Sequence, residues 1–448
     1  MTAGGGERPG ADAGDDVREA GRERRPAAAS AEARAQLEVF ARGAAELVVE
    51  AELLERIEAH LSGRRGPLRV KAGFDPTRPD LHLGHVVLLQ KMRQIQDLGH
   101  HIVFVVGDTT AMVGDPTGQN EARPRLTREA VLEAAKTYQA QCFKVLDAAR
   151  TEVRYNGEWL GKMSVIDLIE LSAKATLARI LERDDFSKRV AEQRAVYMHE
   201  LLYPLLQAYD SVALDCDLEL GGTDQFFNLN VGRDLMPRYG KPPQCVLTTP
   251  LLEGLDARLE NGRVIGKKMS KSADNYIGIA EPPVAMFKKA MQIDDGVVWR
   301  YFELLSSKSA AEIAALRAQA TDPREPKRLF GREIVARFHG PDAAREAEAE
   351  FDRVYLKKGG VPDDVPEFEV AAADASGLWI AKALSASGLA PTTGEGKRMV
   401  SHGYVEVDGA RVTDDQLRLP AGGRYLLRSG SKTRRFAYVV VSAGAGAG

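Results

Sequence analysis

Between Leu68 and Val106 the chain spells strand, helix, strand, and that order restricts the folds open to it. Leu68, Val70, Ala72 and Phe74 alternate with other side chains, as on one face of a strand. Val86, Val87, Leu88, Leu89, Met92, Ile95 and Leu98 then follow helical spacing. Ile102-Val103-Phe104-Val105-Val106 is continuously apolar and closed by Gly107-Asp108, as in a parallel strand covered on both faces. Further strand candidates at 152–155, 218–221 and 245–249 alternate with helical patterns near 165–195, 199–213 and 224–236. The expected fold is α/β: a doubly wound, Rossmann-like parallel sheet that receives ligands at the carboxyl ends of its strands.

Around that unit the organisation reads as follows. Residues 1–30 hold almost no large apolar side chains and cannot offset their ordering entropy, so a disordered tail is expected. The tail is too acidic for a transit peptide and lacks the apolar core of a signal peptide. One helical pattern runs over 31–61 and ends at Ser62-Gly63, so the sheet-bearing domain spans 31–280. Helical periodicity fills 281–358, and a Gly- and Pro-rich linker follows at 359–367. A small α+β domain over 368–441 contains helices near 376–387 and 394–402 and strands at 404–407, 411–413, 424–428 and 435–441. A flexible tail closes the chain at 442–448.

A chain of 448 residues can bury several cores. A formal charge of −3 gives no overall pull toward nucleic acid, so any such contact needs a local basic patch. No apolar run approaches the roughly 18 residues that a membrane span requires. Cys142, Cys216 and Cys245 are scattered outside any metal-ligand spacing and read as buried thiols of a cytoplasmic protein.

Three groups of residues carry chemistry. His82 and His85, separated by Leu83-Gly84, stand where strand turns into helix. A helix N-terminus favours phosphate, imidazoles can donate to phosphate oxygens, and Gly84 permits close approach. Lys268-Met269-Ser270-Lys271-Ser272, flanked by Gly262, Gly266, Asn275 and Gly278, reads as a mobile basic loop able to meet charge developing on oxygens. Tyr203, Gln207 and Asp210, spaced i, i+4, i+7, place a hydroxyl, an amide and a carboxylate on one face of an otherwise apolar helix.

Together the histidine and lysine strings resemble the paired signatures of class I aminoacyl-tRNA synthetases. Gly73-Phe74-Asp75-Pro76-Thr77, Gly114-Asp115-Pro116-Thr117-Gly118, Tyr203 to Asp210, and Gly221-Gly222-Thr223-Asp224-Gln225 with Asn228 resemble the bacterial tyrosyl-tRNA synthetases. The resemblance covers about 35–441. It implies that ATP, accompanied by Mg²⁺, activates L-tyrosine, that tRNA(Tyr) receives the tyrosyl group, and that the chain forms a homodimer. No protein-bound metal is expected. In the ATP site it implies Gly73 and Asp75 beside the adenylate, Gly222 and Asp224 near the ribose, and Gly84, Met269 and Lys271 completing the set. Thr77 and His82 would hold the outer phosphates, His85 the α-phosphate region, and Lys268, Lys271 and Arg123 the departing pyrophosphate. Asp115, Tyr203 and Gln207 would cage the amino acid's ammonium, Gln225 would lie near its carboxylate, and Asp210 would accept from its phenol.

Two positions depart from the better-known pattern. Lys71 stands where many bacterial members carry a tyrosine that also reads the phenol, leaving Asp210 without its usual partner. Gln119 stands where they often carry a lysine of the phosphate loop. The longer, insertion-bearing sequence and the Lys-Met-Ser-Lys-Ser spelling suggest a distinct bacterial branch. The 281–358 region matches the family's anticodon-side helical domain. Residues 389–409 resemble a small RNA-binding domain shared with a ribosomal protein, with Lys397, Arg398, Arg434 and Arg435 as candidate RNA contacts. Thr393-Gly394-Glu395-Gly396 departs from that domain's usual helix start, so its basic helix is expected to begin late. The competing readings are a tryptophan-specific synthetase, a non-catalytic RNA-binding paralogue, and a nucleotidyltransferase sharing the His-x-Gly-His element. The retained His82, His85, Lys268 and Lys271 speak against a dead copy.

Overall fold

The computed structural model describes residues 29–76, 80–115, 127–356, 361, 365–372, 376–430 and 435–442. The chain divides into two compact units, Met1–Leu251 and Leu252–Gly448.

The first unit is built on six strands: β1 (Glu46–Val48), β2 (Arg69–Phe74), β3 (His101–Val106), β4 (Thr151–Tyr155), β5 (Leu218–Gly222) and β6 (Cys245–Thr249). Their order is β1-β6-β5-β2-β3-β4, parallel throughout except for β1 at the edge. The doubly wound expectation holds, and β2 sits beside β5, where the strand order turns back toward the later strands. On β2, Val70 and Ala72 are fully buried and Phe74 stacks on Phe104 of β3 at 4.6 Å between ring centroids. The opposite face of β2 carries Lys71 and Gly73, and Gly73 is exposed although its strand is central. An opening therefore lies above the carboxyl end of β2.

The helices of this unit are α1 (Ala31–Ala41), α2 (Glu50–Leu61), α3 (Leu83–Asp97), α4 (Thr110–Val113), α5 (Arg128–Cys142), α6 (Gly157–Leu160), α7 (Val165–Ala173), α8 (Leu177–Leu181), α9 (Asp184–Ala191), α10 (Met198–Ala213) and α11 (Phe226–Leu235). The expected single helix over 31–61 is two helices with β1 between them. Gly43 at φ +73 breaks the run, and Leu47 and Val48 pair with Leu247 and Val246 of β6. The expected tail also ends earlier than 30: the Ser30 hydroxyl caps α1 by accepting from the Ala33 N–H at 3.2 Å and donates to Glu58 at 2.6 Å. Residues 1–28 lie outside the described residues. All three cysteines are buried and free.

The second unit begins with a hairpin, β7 (Arg258–Glu260) and β8 (Arg263–Ile265), turned by Asn261 and Gly262, both at positive φ. Helices α12 (Pro283–Ala290), α13 (Val298–Leu305), α14 (Ala310–Gln319), α15 (Arg324–His339) and α16 (Pro341–Phe351) follow as expected. Of the linker and its flanks, 357–360 and 362–364 lie outside the described residues. The terminal region has β9 (Glu367–Ala371), β10 (Leu378–Trp379), α17 (Ile380–Ala386), α18 (Thr393–Ser401), β11 (Val405–Val407), β12 (Ala410–Val412), β13 (Arg418–Leu419), β14 (Arg424–Ser429) and β15 (Arg435–Ser442). Its main sheet runs β12-β11-β14-β15-β9, with β9 parallel to β15. Helix α18 does not begin late: it starts at Thr393, because the Thr392 hydroxyl accepts from the Glu395 N–H at 3.2 Å. Among the described residues, no helix is long and apolar enough to cross a membrane.

Candidate active site

His82 is the N-cap of α3. Its Nδ1 accepts from the Gly84 N–H at 3.2 Å, while His85 Nδ1 accepts from the His82 N–H at 3.2 Å, a reciprocal capping box. Because both Nδ1 atoms are acceptors, the capped form of each neutral ring carries its proton on Nε2. The rings lie 3.9 Å apart between centroids. The local sequence thus builds two oriented N–H donors at a positive helix end, the arrangement an anionic ligand requires.

Beyond the carboxyl end of β2, Asp75 accepts from the Thr110 hydroxyl at 2.7 Å and the Tyr203 hydroxyl at 2.9 Å. Burial pushes its carboxyl up to about 7, opposed by those hydrogen bonds and reinforced by Asp115 and Asp210. Burial, with Asp75 and Asp115 adding to it, also raises the Tyr203 phenol well above its ordinary value. Tyr203, expected in the ammonium cage with Asp115 and Gln207, donates its hydroxyl hydrogen to Asp75 and keeps its oxygen as an acceptor. Gly107 is what allows this packing: a Cβ there would lie 2.0 Å from the Asp75 Oδ1 and 2.3 Å from the Thr110 Oγ1.

The face of α10 anticipated from its spacing is buried, with Tyr203 and Asp210 nearly inaccessible. Gln225 Nε2 donates to Asp115 at 2.8 Å, and Asn228 Nδ2 donates to the side-chain oxygens of Gln225 at 3.0 Å and Gln207 at 3.1 Å. Asp115, Gln225, Asn228 and Gln207 thus form one connected chain of groups. Arg183, also buried, adds a guanidinium 3.5 Å from Asp115 and 3.2 Å from the Asn228 oxygen. At the other end, Asp210 accepts from Trp159 Nε1 at 2.8 Å and Asn156 Nδ2 at 3.4 Å. In place of the usual tyrosine partner, α6 and the residue before it supply two donors to Asp210. Burial raises the Asp210 carboxyl to about 6, with Lys71 pulling it back down.

Gly222 ends β5, where a Cβ would lie 2.6 Å from Asp224 Oδ1 and 2.9 Å from Leu251 Cδ2 and would push those side-chain ends aside. A Cβ on Gly73, by contrast, would meet nothing within 4 Å, so that surface is open to a ligand.

The basic loop belongs to the second unit. Met269 is buried and its N–H bonds the Leu252 carbonyl at 2.8 Å. Asn275 accepts from the Ser270 N–H at 2.8 Å and donates to Asp256 at 2.6 Å and to the Lys268 carbonyl at 3.3 Å. The loop is therefore stapled at its base, while Lys268 is exposed and Lys271 half-buried. In the same unit Lys397 and Arg398 are exposed on α18, Lys397 3.9 Å from Asp415 and Arg398 2.5 Å from Glu395. Arg435 donates to the Gly388 carbonyl at 2.6 Å. Thr77, Gln119, Arg123 and Arg434 lie outside the described residues.

Two hydrogen-bonded groups of the first unit result: Asp75, Tyr203 and Asp210, linked through Thr110 and Asn156, and Asp115, Gln225 and Gln207, linked through Asn228. Sequence reasoning gave no role to Asn156, Trp159, Thr110, Arg183, Gly107 or Glu219. Most sit in ordinary-looking context, but Glu219 interrupts an apolar strand between Leu218 and Leu220, as Lys71 does between Val70 and Ala72.

Two family models match the chain: one described as tRNA synthetases class I (W and Y) over residues 63–355, and one described as S4 domain over 378–424. A protein of Thiobacillus denitrificans named Tyrosine–tRNA ligase is 53% identical over 408 residues, covering 90% of this chain and 99% of its own. A protein of the same name from Geobacter metallireducens is 51% identical over 90% of this chain and 98% of its own. The solved structure of a C-terminally truncated mitochondrial tyrosyl-tRNA synthetase of Aspergillus nidulans shares the fold with a TM-score of 0.59 at 20% identity, covering 71% of this chain and 94% of that one. This chain belongs to the class I tRNA synthetases of the W and Y group and, within it, to the bacterial tyrosyl-tRNA synthetases.

Proposed function

We propose that the chain is a tyrosine–tRNA ligase. It joins L-tyrosine to ATP, releasing pyrophosphate and forming tyrosyl-adenylate, and passes the tyrosyl group to the 3′ end of tRNA(Tyr). The observation that carries this reading is the buried face of α10. There Gln207 is tied to Asp115 through Asn228 and Gln225, and Asp210 follows about one turn further on. An amino acid with a cation at one end and a hydroxyl at the other matches two such carboxylates.

The substrate carboxylate oxygen attacks the α-phosphorus, the bond to the β-phosphate oxygen breaks, and pyrophosphate leaves. No protein nucleophile is needed, so rate enhancement comes from positioning and charge stabilisation. His82 and His85 donate from Nε2 to phosphate oxygens, with Thr77 beside His82. Gly73, Gly84, Asp75, Gly222 and Asp224 receive the nucleoside side of ATP. Lys268, Lys271 and Arg123 take the pyrophosphate, and Met269 adjoins the nucleotide; these four roles rest on the family motifs alone. Mg²⁺ enters with ATP as part of the substrate. Among the described residues, no cluster of three His, Cys, Asp or Glu stands ready to hold a resident ion.

Lys397, Arg398, Arg434 and Arg435 of the terminal region contact tRNA phosphates. The protein works in the cytoplasm as a homodimer. The apolar residues Val165, Ile166 and Ile169 on α7, Leu177 on α8 and Met198 at the start of α10 are exposed and take a second copy of the chain.

Amino-acid-dependent exchange of labelled pyrophosphate into ATP decides the substrate. Tyrosine is expected to support exchange far better than phenylalanine or tryptophan. Exchange driven by tryptophan and not by tyrosine overturns the assignment.

A further inference from the structure

Lys71 and Glu219 are both 1% exposed, in the middle of a parallel sheet, where a charge is rarely tolerated without a partner. They are register partners on the adjoining strands β2 and β5, and their charged atoms lie 2.9 Å apart. The pair is connected to α10. Lys71 Nζ donates to the Gln207 carbonyl at 3.4 Å. Glu219 accepts from Gln207 Nε2 at 3.2 Å, Ser211 Oγ at 3.0 Å and Gln244 Nε2 at 2.5 Å. Gly232 leaves room for this cluster, since a Cβ there would lie 2.7 Å from Gln244 Nε2 and 3.4 Å from Glu219 Oε2.

We propose that Lys71 and Glu219 form a specificity-determining pair: the Lys71 ammonium keeps Asp210 charged as the acceptor for the substrate's phenol hydroxyl, and Glu219 fixes the Gln207 amide. The inference rests on the reading of Asp210 as the phenol acceptor. It reassigns the pocket end at which many relatives carry a tyrosine.

Geometry and electrostatics agree. Burial alone would lower Lys71; Glu219 first and Asp210 second outweigh it and hold the ammonium above its ordinary value. On Asp210, Lys71 from β2 is the largest influence opposing burial. Trp159 and Asn156 assist Lys71 by hydrogen bonding, Glu219 from β5 opposes it, and Asp75 beyond β2 repels Asp210 in turn. Trp159 and Asn156 occupy both Asp210 oxygens as donors, which a carboxylate satisfies and a protonated acid satisfies only in part. Gln207 is orientationally locked because its Nε2 donates to Glu219 and its oxygen accepts from Asn228. That leaves the oxygen's second lone pair for an ammonium. Lys71 and Glu219 are positioning residues, acting on the substrate through Asp210 and Gln207.

The test measures kcat/KM for tyrosine and for phenylalanine by pyrophosphate exchange between pH 5.5 and 9, on the full-length protein. In the unaltered protein the tyrosine-to-phenylalanine ratio should rise through a midpoint near 6, where Asp210 loses its proton. Asp75, on the nucleoside side of the site, acts alike on both substrates and cancels in the ratio. Lys71→Met should move that midpoint up by about two pH units and lower the ratio at pH 7 by about 10-fold. Lys71→Met leaves Glu219 buried and unpaired, so it is accompanied by Lys71→Met/Glu219→Gln, which removes both charges and preserves the packing. The double variant should keep the raised midpoint. A double variant with the original midpoint and ratio overturns the proposal, since the pair would then serve packing alone. Glu219→Gln by itself should raise the KM for both amino acids; an unchanged KM removes the role given to Glu219. Asp210→Asn separates the two levels. If it leaves the ratio unchanged, the phenol reading falls; if it abolishes the ratio while the double variant does not alter it, only the Lys71 proposal falls.

Discussion

At Asp75 three effects meet: partial burial, two hydroxyl donors, and the like charges of Asp115 and Asp210. The folded carboxyl sits near 7, whereas an unfolded Asp titrates near 3.8. The folded state therefore holds a proton that the unfolded state has released, and stability falls as pH rises from about 4 to about 7. Asp75→Asn imitates the protonated form, so the ligand-free variant should melt higher than the parent, by more at pH 8 than at pH 5. Thermal melts at the two pH values check this, and a pH-independent difference refutes it. In the proposed site the substrate ammonium adds a positive charge to this cluster, beside Arg183 at 3.5 Å from Asp115. Tyrosine binding near pH 7 should therefore expel a proton from Asp75. Calorimetry in buffers of different ionisation enthalpy measures it, and zero net release at pH 7 contradicts the cage. His82 behaves differently, because its proposed partners are phosphate oxygens and not the amino acid. His82→Ala should lower the activation rate by about 10²-fold or more while leaving the KM for tyrosine nearly unchanged; a large rise in that KM would place His82 at the amino acid instead.

Elements built on a single clear period were legible before any coordinates. The alternation over 68–74 and the continuous apolar run at 102–106 correspond to β2 and β3, and the i, i+4, i+7 face corresponds to α10. The helix break at Gly43 was not legible, since Leu47 and Val48 fit a helix locally and become a strand only by pairing with β6. The hairpin β7–β8 escaped notice although Asn261-Gly262 is a strong turn signal. At the site, residues in family motifs were visible, whereas Asn156, Trp159 and Thr110 acquire meaning only when three elements converge on Asp75 and Asp210. Lys71 and Glu219 could have been joined from sequence: two opposite charges each interrupt an apolar strand, and only a partner makes that tolerable. The turn after β3 offers a direct test at this scale. Gly107→Ala forces a methyl against Asp75 and Thr110. Activation should drop by at least about 10-fold while the fold survives, because the collision falls on the ends of two side chains and leaves the strand register intact. Near-normal exchange activity would show that Asp75 need not hold this position.

The proposed function has the molecule engage two macromolecules, tRNA and a second copy of itself, and the surfaces proposed for them differ in chemistry. The tRNA surface is a matter of local charge: Lys397 and Arg398 are exposed on α18, in a chain whose net charge is −3. Lys397→Glu/Arg398→Glu should weaken aminoacylation and flatten its salt dependence by about one unit of log–log slope per lost phosphate contact, leaving pyrophosphate exchange intact. Loss of exchange would mean that these residues serve the first step. The dimer surface is apolar. Helices α7, α8 and α9 already bury Leu171, Ile180 and Phe186 against α10, yet their outward side leaves Ile166 63% and Ile169 58% exposed. A helix apolar on two sides needs two partners, and among the described residues only one is supplied. A second copy presents the same patch and buries both at once, the self-matching contact of a two-fold dimer. Sedimentation should therefore give about twice the 48.8 kDa chain mass. Ile166→Glu/Ile169→Glu should shift it to the single-chain value, since burying two carboxylates in an apolar contact costs more than the contact returns. A parent protein that sediments as one chain at micromolar concentration, or a double variant that stays at twice that mass, would move the dimer contact away from α7.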